Sequence, residues 1–445
     1  MKVLHVFPVF GHELTNGSDY YEYMLTRHLA ASGVEVEVWT TRTRDLRPTS
    51  AFSLRWPNDY PRGSETRDRI RIKRFSASFS LPTALGHLLS WPILRRLRRE
   101  EKLFGRVERG SRNLVESYRQ RAMARPAVYD WLAMLGRGPW SATLLQTLIG
   151  EIARFDLVVV GFVPFALVWQ VVSIAKLRRK PVAVLALFHP DDAYHHFRSI
   201  YTSLSNADLI LAQTSYSQEI FREVAPGSNP EIVGAGVDEK LFSSPGISGQ
   251  RFRDKHRLGG KFVVLSVGRK EPAKGYRQLI EAVDRVNNPN VILVMIGDDI
   301  DRIPVSSPHT LYIGHVSREE LLDAYAACDA FALLSEYESF GMVFLEAWMM
   351  RKPVVGNSHC RPVAAIIRDG VNGFLCDSPL AVASRLGELV LNSELCRALG
   401  EAGYRLVKER YTWGQVAERV RQLYEEVAQR SGADRVSTAL KELPR

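Results

Sequence analysis

Two carboxylates and two cations in the second half of the sequence have types and spacings that suit one kind of ligand. Glu338 precedes a glycine turn at Gly341, and Glu346 lies eight residues after Glu338 in an apolar stretch. Arg269 and Lys274 lie in a short turn that follows an apolar run. Cations and helix N-termini bind phosphates, whereas carboxylates accept hydrogen bonds from hydroxyls. The pattern therefore suits a molecule that is anionic at one end and rich in hydroxyls at the other, such as a nucleotide-sugar.

The same residues belong to patterns that resemble the family 4 retaining glycosyltransferases of the GT-B fold. E-x7-E lies at 338–346 and V-G-R-x4-K-G lies at 267–275. Two further matching stretches lie at 346–355 and 369–375. Together they are spread over residues 262–376. The resemblance implies a retaining glycosyltransferase that moves a sugar from a nucleotide-diphosphate sugar to a hydroxyl of a glycan or lipid-linked acceptor.

The resemblance also implies a role for each residue. Arg269 and Lys274 would stabilise the negative charge that develops on the leaving phosphate, and Glu338 would accept hydrogen bonds from the donor sugar. Glu346 would hold the ribose of the nucleotide. Neither glutamate is expected to be a covalent nucleophile, and we expect front-face attack assisted by the leaving phosphate. The further donor-site positions are Gly17, Ser339, Phe340, Gly341, Met342 and Val343.

The sequence departs from the family pattern in places. Where the family has a Gly-Gly-Ala-Glu loop, residues 16–19 read Asn-Gly-Ser-Asp, and Ala365 stands where a Glu is common. His189 follows a predicted strand, where open α/β sheets bind ligands, but within His-Pro-Asp rather than His-Asp. We predict that His189 contacts the donor sugar or the reaction centre, with a structural histidine as the alternative. His195 and His196 have no comparable motif.

One acidic segment has the spacing of a metal site in another glycosyltransferase fold. Residues 298–301 read Asp-Asp-Ile-Asp and contain D-x-D. Because Arg269 and Lys274 already neutralise a diphosphate, we predict that this segment is a solvated loop and that no metal or other cofactor is required. Lys270, beside Arg269, is also predicted to be solvated.

Apolar runs alternate with helical patterns along both halves of the chain, as in a doubly wound α/β sheet. No G-x-G-x-x-G follows the first predicted strand, which argues against a dinucleotide-binding dehydrogenase. We predict strands at 3–9, 34–40, 70–75, 157–160, 182–188 and 209–212, and then at 262–267, 291–296, 310–313, 330–333 and 353–356. The expected fold is two Rossmann-like doubly wound domains facing a cleft, with a helical insert in the first.

The length of 445 residues is too great for a single core and suits two domains. Residues 1–242 are predicted to form the N-terminal, acceptor-side domain. Residues 243–259, rich in Ser, Gly, Pro and charge, are predicted to be a linker, and 260–410 the nucleotide-sugar-binding domain. The resemblance implies that a helix at 411–430 returns to the first domain, and 431–445 is predicted to be a tail.

The predicted insert, at about 81–152, carries most of the positive charge of the chain. Between residues 95 and 125 there are eleven Lys and Arg against four Glu, a net of +7 out of +10 for the whole protein. Pro92 and Pro126 are predicted to break its helices. Leucines, Trp91 and a run of arginines at 85–125 suit an anionic membrane surface. The alternatives are an insert packed on its own domain and a dimer contact.

Other features restrict the class of protein. No run of 18 apolar residues occurs, and polar residues interrupt the N-terminus too soon for a signal peptide. Four separated cysteines indicate reduced thiols rather than a disulfide framework: Cys328, Cys360, Cys376 and Cys396. We therefore expect a cytoplasmic protein, attached to the inner face of the plasma membrane if the insert binds lipid.

Two further classes of function remain open. The basic charge is concentrated in one insert and is not interleaved with aromatic residues, so we do not expect nucleic acid as a partner. A sugar-nucleotide sensor without turnover, or a sugar phosphorylase of the same fold, would use the same site.

Overall fold

The computed structural model describes residues 1–11, 17–44, 56–78, 88, 95, 112–190 and 192–441. The chain forms two compact units. Unit 1 comprises residues 1–233 together with the chain from Val416 onward, and unit 2 comprises Gly234–Gln415.

Unit 1 is built on a mainly parallel sheet. Its strands are β1 (Lys2–Phe7), β2 (Glu35–Thr41), β3 (Gly63–Arg67), β4 (Ile70–Phe75), β5 (Leu157–Gly161), β6 (Val182–Leu185), β7 (Leu209–Ala212) and β8 (Pro230–Ile232). Their order is β3-β4-β2-β1-β5-β6-β7-β8, and only β3 pairs antiparallel with its neighbour. The direction of winding reverses between β1 and β5, where Val3 pairs with Leu157. β5, β6 and β7 are buried along their whole length, as expected for parallel strands covered on both faces.

The described helices of unit 1 pack against this sheet, and three of them lie in the part of the predicted insert that follows residue 111. They are α1 (Gly17–Ala31), α2 (Arg112–Ala124), α3 (Ala127–Leu135), α4 (Ala142–Glu151), α5 (Ala166–Leu177), α6 (Arg198–Ser205) and α7 (Ser215–Val224). The predicted helix break at Pro126 is confirmed, because this residue caps the start of α3. Val115 and Ala122 of α2 belong to the core of unit 1. Pro92 and most of residues 81–111 lie outside the described residues.

Unit 2 contains a second sheet in which all pairs are parallel. Its strands are β9 (Phe262–Val267), β10 (Val291–Ile296), β11 (Thr310–Gly314), β12 (Ala330–Leu333), β13 (Val354–Asn357) and β14 (Gly373–Cys376), in the order β11-β10-β9-β12-β13-β14. The winding reverses between β9 and β12. Two doubly wound parallel sheets confirm the predicted fold class. All four cysteines are free thiols.

Two helices of unit 2 precede its first strand, and the others lie between or after its strands. They are α8 (Glu239–Phe242), α9 (Gly249–Lys255), α10 (Tyr276–Val286), α11 (Arg318–Ala327), α12 (Met342–Met349), α13 (Arg361–Ala364), α14 (Pro379–Leu391) and α15 (Ser393–Arg410). The last helix of the chain, α16 (Trp413–Lys441), joins unit 1 from Val416 onward, where the ring of Tyr424 contacts that of His5.

Two segments differ from the sequence prediction. Residues 243–259, expected to be a linker, contain α9, where Arg251 Nε lies 2.6 Å from Asp323 Oδ2 of α11. Arg253 of α9 donates to the carbonyl of Ala327, so an ion pair and a hydrogen bond hold the segment within unit 2. The predicted tail from residue 431 is instead a continuation of α16 to Lys441, and no proline occurs between Trp413 and Pro444 to end the helix.

Candidate functional site

The loops that follow β9 and β12 meet at the carboxyl edge of the unit 2 sheet. The two strands are neighbours, with Phe331 paired to Leu265, and the winding of the sheet reverses between them. The backbone N–H of Glu336 donates to the carbonyl of Ala273 over 2.9 Å and joins the loops. This reversal point is where open α/β sheets bind ligands.

Lys274 and Glu338 form an ion pair across these two loops. Lys274 Nζ lies 2.6 Å from Glu338 Oε1, and Ser335 Oγ donates to the same oxygen over 2.8 Å. The side chains are 21% and 15% exposed, so they are shielded from solvent but within its reach. The sequence prediction placed both residues in one site, and the structure brings them into contact. A cation and a hydrogen-bond acceptor side by side can bind a phosphate and a hydroxyl of one ligand.

Gly275 allows this close approach of the two loops. Its φ of 66° is in the left-handed region, and a Cβ atom there would lie 2.0 Å from the carbonyl oxygen of Leu334. Any other residue would push the β12 loop away from the β9 loop. The glycine that follows Lys274 in the sequence is therefore part of the geometry that places Lys274 against Glu338.

Arg269 lies in the same loop but makes a different contact. Its guanidinium is 2.8 Å from Glu271 Oε1, and its side chain is 61% exposed. Glu271 is thus the acid paired with Arg269, whereas Glu338 is paired with Lys274. Because the surface pair with Glu271 is weak, the guanidinium can exchange Glu271 for a phosphate at little cost.

The remaining donor-site positions of unit 2 surround the start of α12. Gly341 has a φ of 94°, and a Cβ atom there would lie 2.9 Å from the ring of Phe344. Phe340 is buried and its ring packs on Tyr411, with centroids 5.4 Å apart. Ser339, Met342 and Val343 are partly buried. The helix begins directly after Gly341, close to the predicted position, and Phe340 packs on Tyr411.

Glu346 is partly buried on α12 and is held by a residue that the sequence analysis did not single out. Tyr325 of α11 donates its hydroxyl to Glu346 Oε2 over 2.6 Å. Burial raises the pKa of the Glu346 carboxyl, and the hydrogen bond from Tyr325 acts in the opposite direction. No motif identifies Tyr325, because its relation to Glu346 depends on the packing of two helices.

The prediction that Lys270 is solvated is wrong, whereas residues 298–300 form an exposed loop as predicted and only Asp301 of that segment is largely buried. The Lys270 side chain is 1% exposed, and its ammonium lies 2.6 Å from Asp299 Oδ1 and 2.5 Å from Asp301 Oδ1. The carboxylates of the D-x-D spacing are thus engaged by a lysine. Over the part of the chain that the structure describes, no group of three or more His, Cys, Asp or Glu side chains is arranged as metal ligands.

His189 lies among histidines at the carboxyl edge of the unit 1 sheet. Its backbone N–H donates to His195 Nδ1 over 3.3 Å, and the two rings are 5.2 Å apart. His196 Nε2 is 2.7 Å from the carbonyl of Pro190. Burial holds the pKa of His195 well below its ordinary value and lowers that of His196 to about 3. His195 and His196 are therefore neutral structural residues beside the partly buried His189.

Gly17 is the exposed first residue of α1, and Asn16 before it lies outside the described residues. One turn further, Glu22 is 1% exposed, and neither carboxyl oxygen has a hydrogen-bond partner among the described residues. The carboxyl lies at the reversal point of unit 1, since a Cβ atom on Gly161 would be 2.2 Å from Glu22 Oε1. Burial raises the pKa of Glu22 well above its ordinary value. Sequence reasoning missed this residue, and no pattern marks it.

Comparison with known proteins gives one family match. Residues 249–406 match the model of the family described as glycosyl transferases group 1. The matched region contains the β9 and β12 loops, and therefore Lys274 and Glu338.

Relatives of known name match about half of the chain. The spore coat protein SA of Bacillus subtilis is 29% identical over 224 residues, which are 44% of this chain and 59% of that protein. The D-inositol 3-phosphate glycosyltransferase of Corynebacterium jeikeium is 30% identical over 252 residues, which are 50% of this chain and 58% of the relative. The GDP-mannose-dependent alpha-(1-6)-phosphatidylinositol monomannoside mannosyltransferase of Mycobacterium tuberculosis is 26% identical, with coverages of 48% and 60%. The chain thus spans 58% to 60% of the length of these three relatives.

Solved structures resemble the whole chain at low sequence identity. Anabaena HepE in complex with UDP and glucose aligns with a TM-score of 0.62 and 16% identity, covering 96% of this chain and 100% of that one. Sucrose-phosphate synthase from Thermosynechococcus elongatus aligns with a TM-score of 0.64 and 17% identity, covering 96% and 99%. At this identity the likeness establishes the fold alone.

Proposed function

We propose that the protein transfers a sugar from a nucleotide-diphosphate sugar to a hydroxyl acceptor, because residues 249–406 match the model of the glycosyl transferases group 1 family. The observation that carries the proposal is the Lys274–Glu338 pair at the reversal point of the unit 2 sheet. It offers a cation for the diphosphate and an acceptor for sugar hydroxyls within one hydrogen bond of each other.

Each residue of this site has a task in that reaction. When the bond between sugar and diphosphate breaks, Lys274 and Arg269 stabilise the charge on the leaving oxygen, as does the N-terminus of α12. Glu338 leaves Lys274 in part and accepts hydrogen bonds from the donor sugar. Glu346, oriented by Tyr325, holds the ribose. No metal takes part, because cations of the chain neutralise the diphosphate.

We propose that the reaction retains the anomeric configuration. Neither glutamate is assigned as a nucleophile, so the acceptor attacks on the face from which the diphosphate leaves, and the leaving phosphate takes its proton. His189 contacts the donor sugar or the reaction centre. Measuring the configuration of the product by proton NMR tests this point, and an inverted product would contradict it.

The named relatives support a choice of substrates to test. One solved neighbour is a complex with UDP and glucose, and one relative is named as GDP-mannose-dependent. Relatives are named for inositol phosphate and for a phosphatidylinositol mannoside. We therefore propose a hydroxyl of a glycan or lipid-linked glycan as the acceptor.

A panel of UDP- and GDP-sugars with mass detection of products tests the proposal. The expected result is consumption of one sugar nucleotide, release of the nucleoside diphosphate and gain of one sugar by an acceptor. Binding of a sugar nucleotide without sugar transfer to any acceptor tested would favour a sugar-nucleotide sensor. Turnover that requires inorganic phosphate would favour a phosphorylase.

An exposed apolar surface at the junction of α2 and α3 supports a second partner. Met123, Val128, Tyr129 and Trp131 are between 46% and 56% exposed. They lie at the end of the basic segment 85–125. Aromatic and aliphatic side chains enter the membrane interface, while arginines attract anionic headgroups at about 1 kcal/mol each. We propose that this surface and the basic segment hold the protein on an anionic membrane. None of the helices in the described ranges has the length and apolar composition needed to span one.

Sedimentation with vesicles tests this partner independently of sugar transfer. Binding should require anionic lipid, weaken as salt rises, and fall when Trp131 becomes Gln or when arginines 95, 96, 98 and 99 become Gln. Leu391→Gln is the control, because Leu391 is 88% exposed in unit 2. Binding that ignores salt and these changes would contradict the membrane proposal. That result would be expected if the insert only packs on its own domain or forms a dimer contact.

A further inference from the structure

The loop between β9 and α10, which carries Arg269 and Lys274, also carries a buried lysine that the proposed reaction does not use. All three N–H donors of the Lys270 ammonium have an acceptor: Asp301 Oδ1 at 2.5 Å, Asp299 Oδ1 at 2.6 Å and the carbonyl of Ile303 at 2.8 Å. The rings of Tyr276 and Tyr312 lie 5.3 Å and 5.7 Å from the same nitrogen. An ammonium with every donor engaged has one defined position and no donor left for a ligand.

Asp301 connects the two ends of this loop. Its Oδ1 accepts from Lys270, which follows Arg269, and its Oδ2 accepts from the hydroxyl of Tyr276 over 2.5 Å. Tyr276 is the first residue of α10 and comes two residues after Lys274. Burial opposes the charge of Asp301, but the hydrogen bonds from Lys270 and Tyr276 hold its pKa below the ordinary value. One ionised carboxylate therefore fixes the residue directly after Arg269 and the second residue after Lys274.

Backbone hydrogen bonds also join the loop after β9 to the loop after β10. The N–H of Lys270 donates to the carbonyl of Asp298 over 2.8 Å, and the N–H of Ile300 donates to the carbonyl of Lys270 over 3.1 Å. Gly297 makes this contact possible, because a Cβ atom there would lie 2.0 Å from the carbonyl oxygen of Gly268. The loop after β10 thus supports the loop after β9 through both side chains and backbone.

We propose that Lys270, Asp301 and Tyr276 form an internal clamp that positions Arg269 and Lys274 for the diphosphate of the donor. Lys270 is a positioning residue in this proposal and not a phosphate ligand. The clamp also gives the D-x-D spacing a role, since a lysine occupies the position between Asp299 and Asp301 that a cation would take. The inference rests on the proposed nucleotide-sugar function and adds the element that orders its cations.

The clamp should affect the binding of the diphosphate and not that of the nucleoside. A phosphate is held tightly only when its cations are held in place before it arrives, because a loose loop must lose conformational freedom on binding. Loss of the clamp should therefore weaken binding of the diphosphate and not of the nucleoside, which does not contact the cations. A general loss of structure would weaken both.

Calorimetric titration with UDP, GDP, uridine and guanosine is the test. Lys270→Met should raise the Kd of the nucleoside diphosphate that the wild-type protein binds by about tenfold or more, with the nucleoside Kd unchanged. Tyr276→Phe removes one hydrogen bond to Asp301 and should raise the diphosphate Kd by several-fold, which keeps the test available if Lys270→Met does not fold. Lys255→Met is the matched control, since Lys255 forms an exposed ion pair with Glu320 in the same unit and should have no effect.

A double-mutant cycle distinguishes positioning from direct contact. If Lys270 acts through Lys274, then Lys270→Met should add little in a Lys274→Met background. Equal losses for diphosphate and nucleoside, full additivity in the cycle, or a wild-type diphosphate Kd in both clamp variants would overturn the clamp. A wild-type protein that binds neither UDP nor GDP would overturn the proposed function and the clamp with it, whereas normal wild-type binding with unaffected variants overturns the clamp alone.

Discussion

The two sheets have the same order at their centres but carry different chemistry where their winding reverses. In unit 1 the reversal lies between β1 and β5, and in unit 2 between β9 and β12. The unit 2 edge holds an ion pair, Lys274–Glu338, and a fully engaged ammonium at Lys270. The unit 1 edge holds Glu22, a buried carboxyl with no partner among the described residues.

The two edges differ in whether their surroundings stabilise charged or neutral side chains. In unit 2, opposite charges and a backbone carbonyl stabilise Lys270, Lys274 and Glu338 in their ionised forms, as a site for a charged diphosphate requires. In unit 1, burial favours the neutral forms, since it raises the pKa of Glu22 and lowers that of His195. The same architecture therefore provides two environments, and the side chains rather than the strand order decide which ligand each suits. The charged edge suits the donor, and we propose that the neutral edge faces a hydroxyl acceptor.

The largest expected effect is loss of turnover when the ion pair of unit 2 is broken. Glu338→Ala should reduce kcat by about 10²–10³-fold, because the donor sugar loses an acceptor whose interaction is made in the transition state. The protein should stay folded, since Glu338 is not part of a hydrophobic core. Sugar transfer and circular dichroism measure the two outcomes. Glu281→Ala, an exposed acid of α10, is the control. Transfer at the wild-type rate by Glu338→Ala would show that the pair is not catalytic.

Charge reversal of the cations should separate the phosphate from the rest of the nucleotide. Lys274→Glu or Arg269→Glu should weaken binding of the nucleoside diphosphate by about 10- to 100-fold, because each removes a charge-assisted hydrogen bond. Binding of the nucleoside should change little. His189→Ala in unit 1 should leave the diphosphate Kd as it is. Calorimetry provides these values, and equal losses for diphosphate and nucleoside would argue against a phosphate role for the cations.

The buried carboxyl of unit 1 should cost stability, in contrast to the paired carboxylates of unit 2. Glu22→Met should raise the free energy of unfolding at neutral pH by about 1–3 kcal/mol, because it removes an unsatisfied buried polar group. The folded-state pKa of Glu22 lies well above its ordinary value of 4.5. Between these two pKa values the folded protein keeps the Glu22 proton, whereas the unfolded chain loses it. The native protein therefore loses stability as pH rises above about 4.5, and the gain from Glu22→Met should grow over that range.

Urea unfolding between pH 4 and pH 8 measures this gain. Glu35→Met is the control, since Glu35 is 68% exposed and pairs with Lys2. A loss of stability in Glu22→Met, or a gain that does not depend on pH, would show that Glu22 has a partner in solution.

The smallest expected effect is that of chelation. Transfer should proceed at the same rate with EDTA, because Lys274, Arg269 and the start of α12 provide the positive charge at the unit 2 edge. Addition of Mg²⁺ or Mn²⁺ should not increase the rate. Loss of activity in EDTA with recovery in Mg²⁺ would assign Asp299 and Asp301 to a metal.

The sequence predicted most of the strands with buried apolar residues, whether these are continuous as in β9 or alternating as in β4, and it missed the exposed strand β3. β9, β10 and β12 have the predicted bounds, because their residues are apolar and buried on both faces. β3 was not predicted, since all its residues are exposed and only its pairing with β4 makes it a strand.

The residues of the candidate site were also predicted only in part. Lys274 and Glu338 could be placed together because a motif carries each of them. Lys270 could not be placed, because its burial depends on Asp299 and Asp301, some thirty residues away in the sequence. Glu22 was missed for a related reason, since the chain gives no sign that an acid will lie against Gly161. Buried charge is set by tertiary neighbours and not by local pattern.

Hydrogen exchange of the backbone with and without a bound sugar nucleotide tests the central claim most directly, since it reports where the donor binds. We predict protection at residues 268–275 and 335–343, the loops after β9 and β12, when the nucleotide-sugar is present. Protection at both loops should be weaker in Lys274→Glu at the same ligand concentration. Saturating binding that leaves the exchange of both loops unchanged would contradict the assignment of the donor site to the reversal point of unit 2.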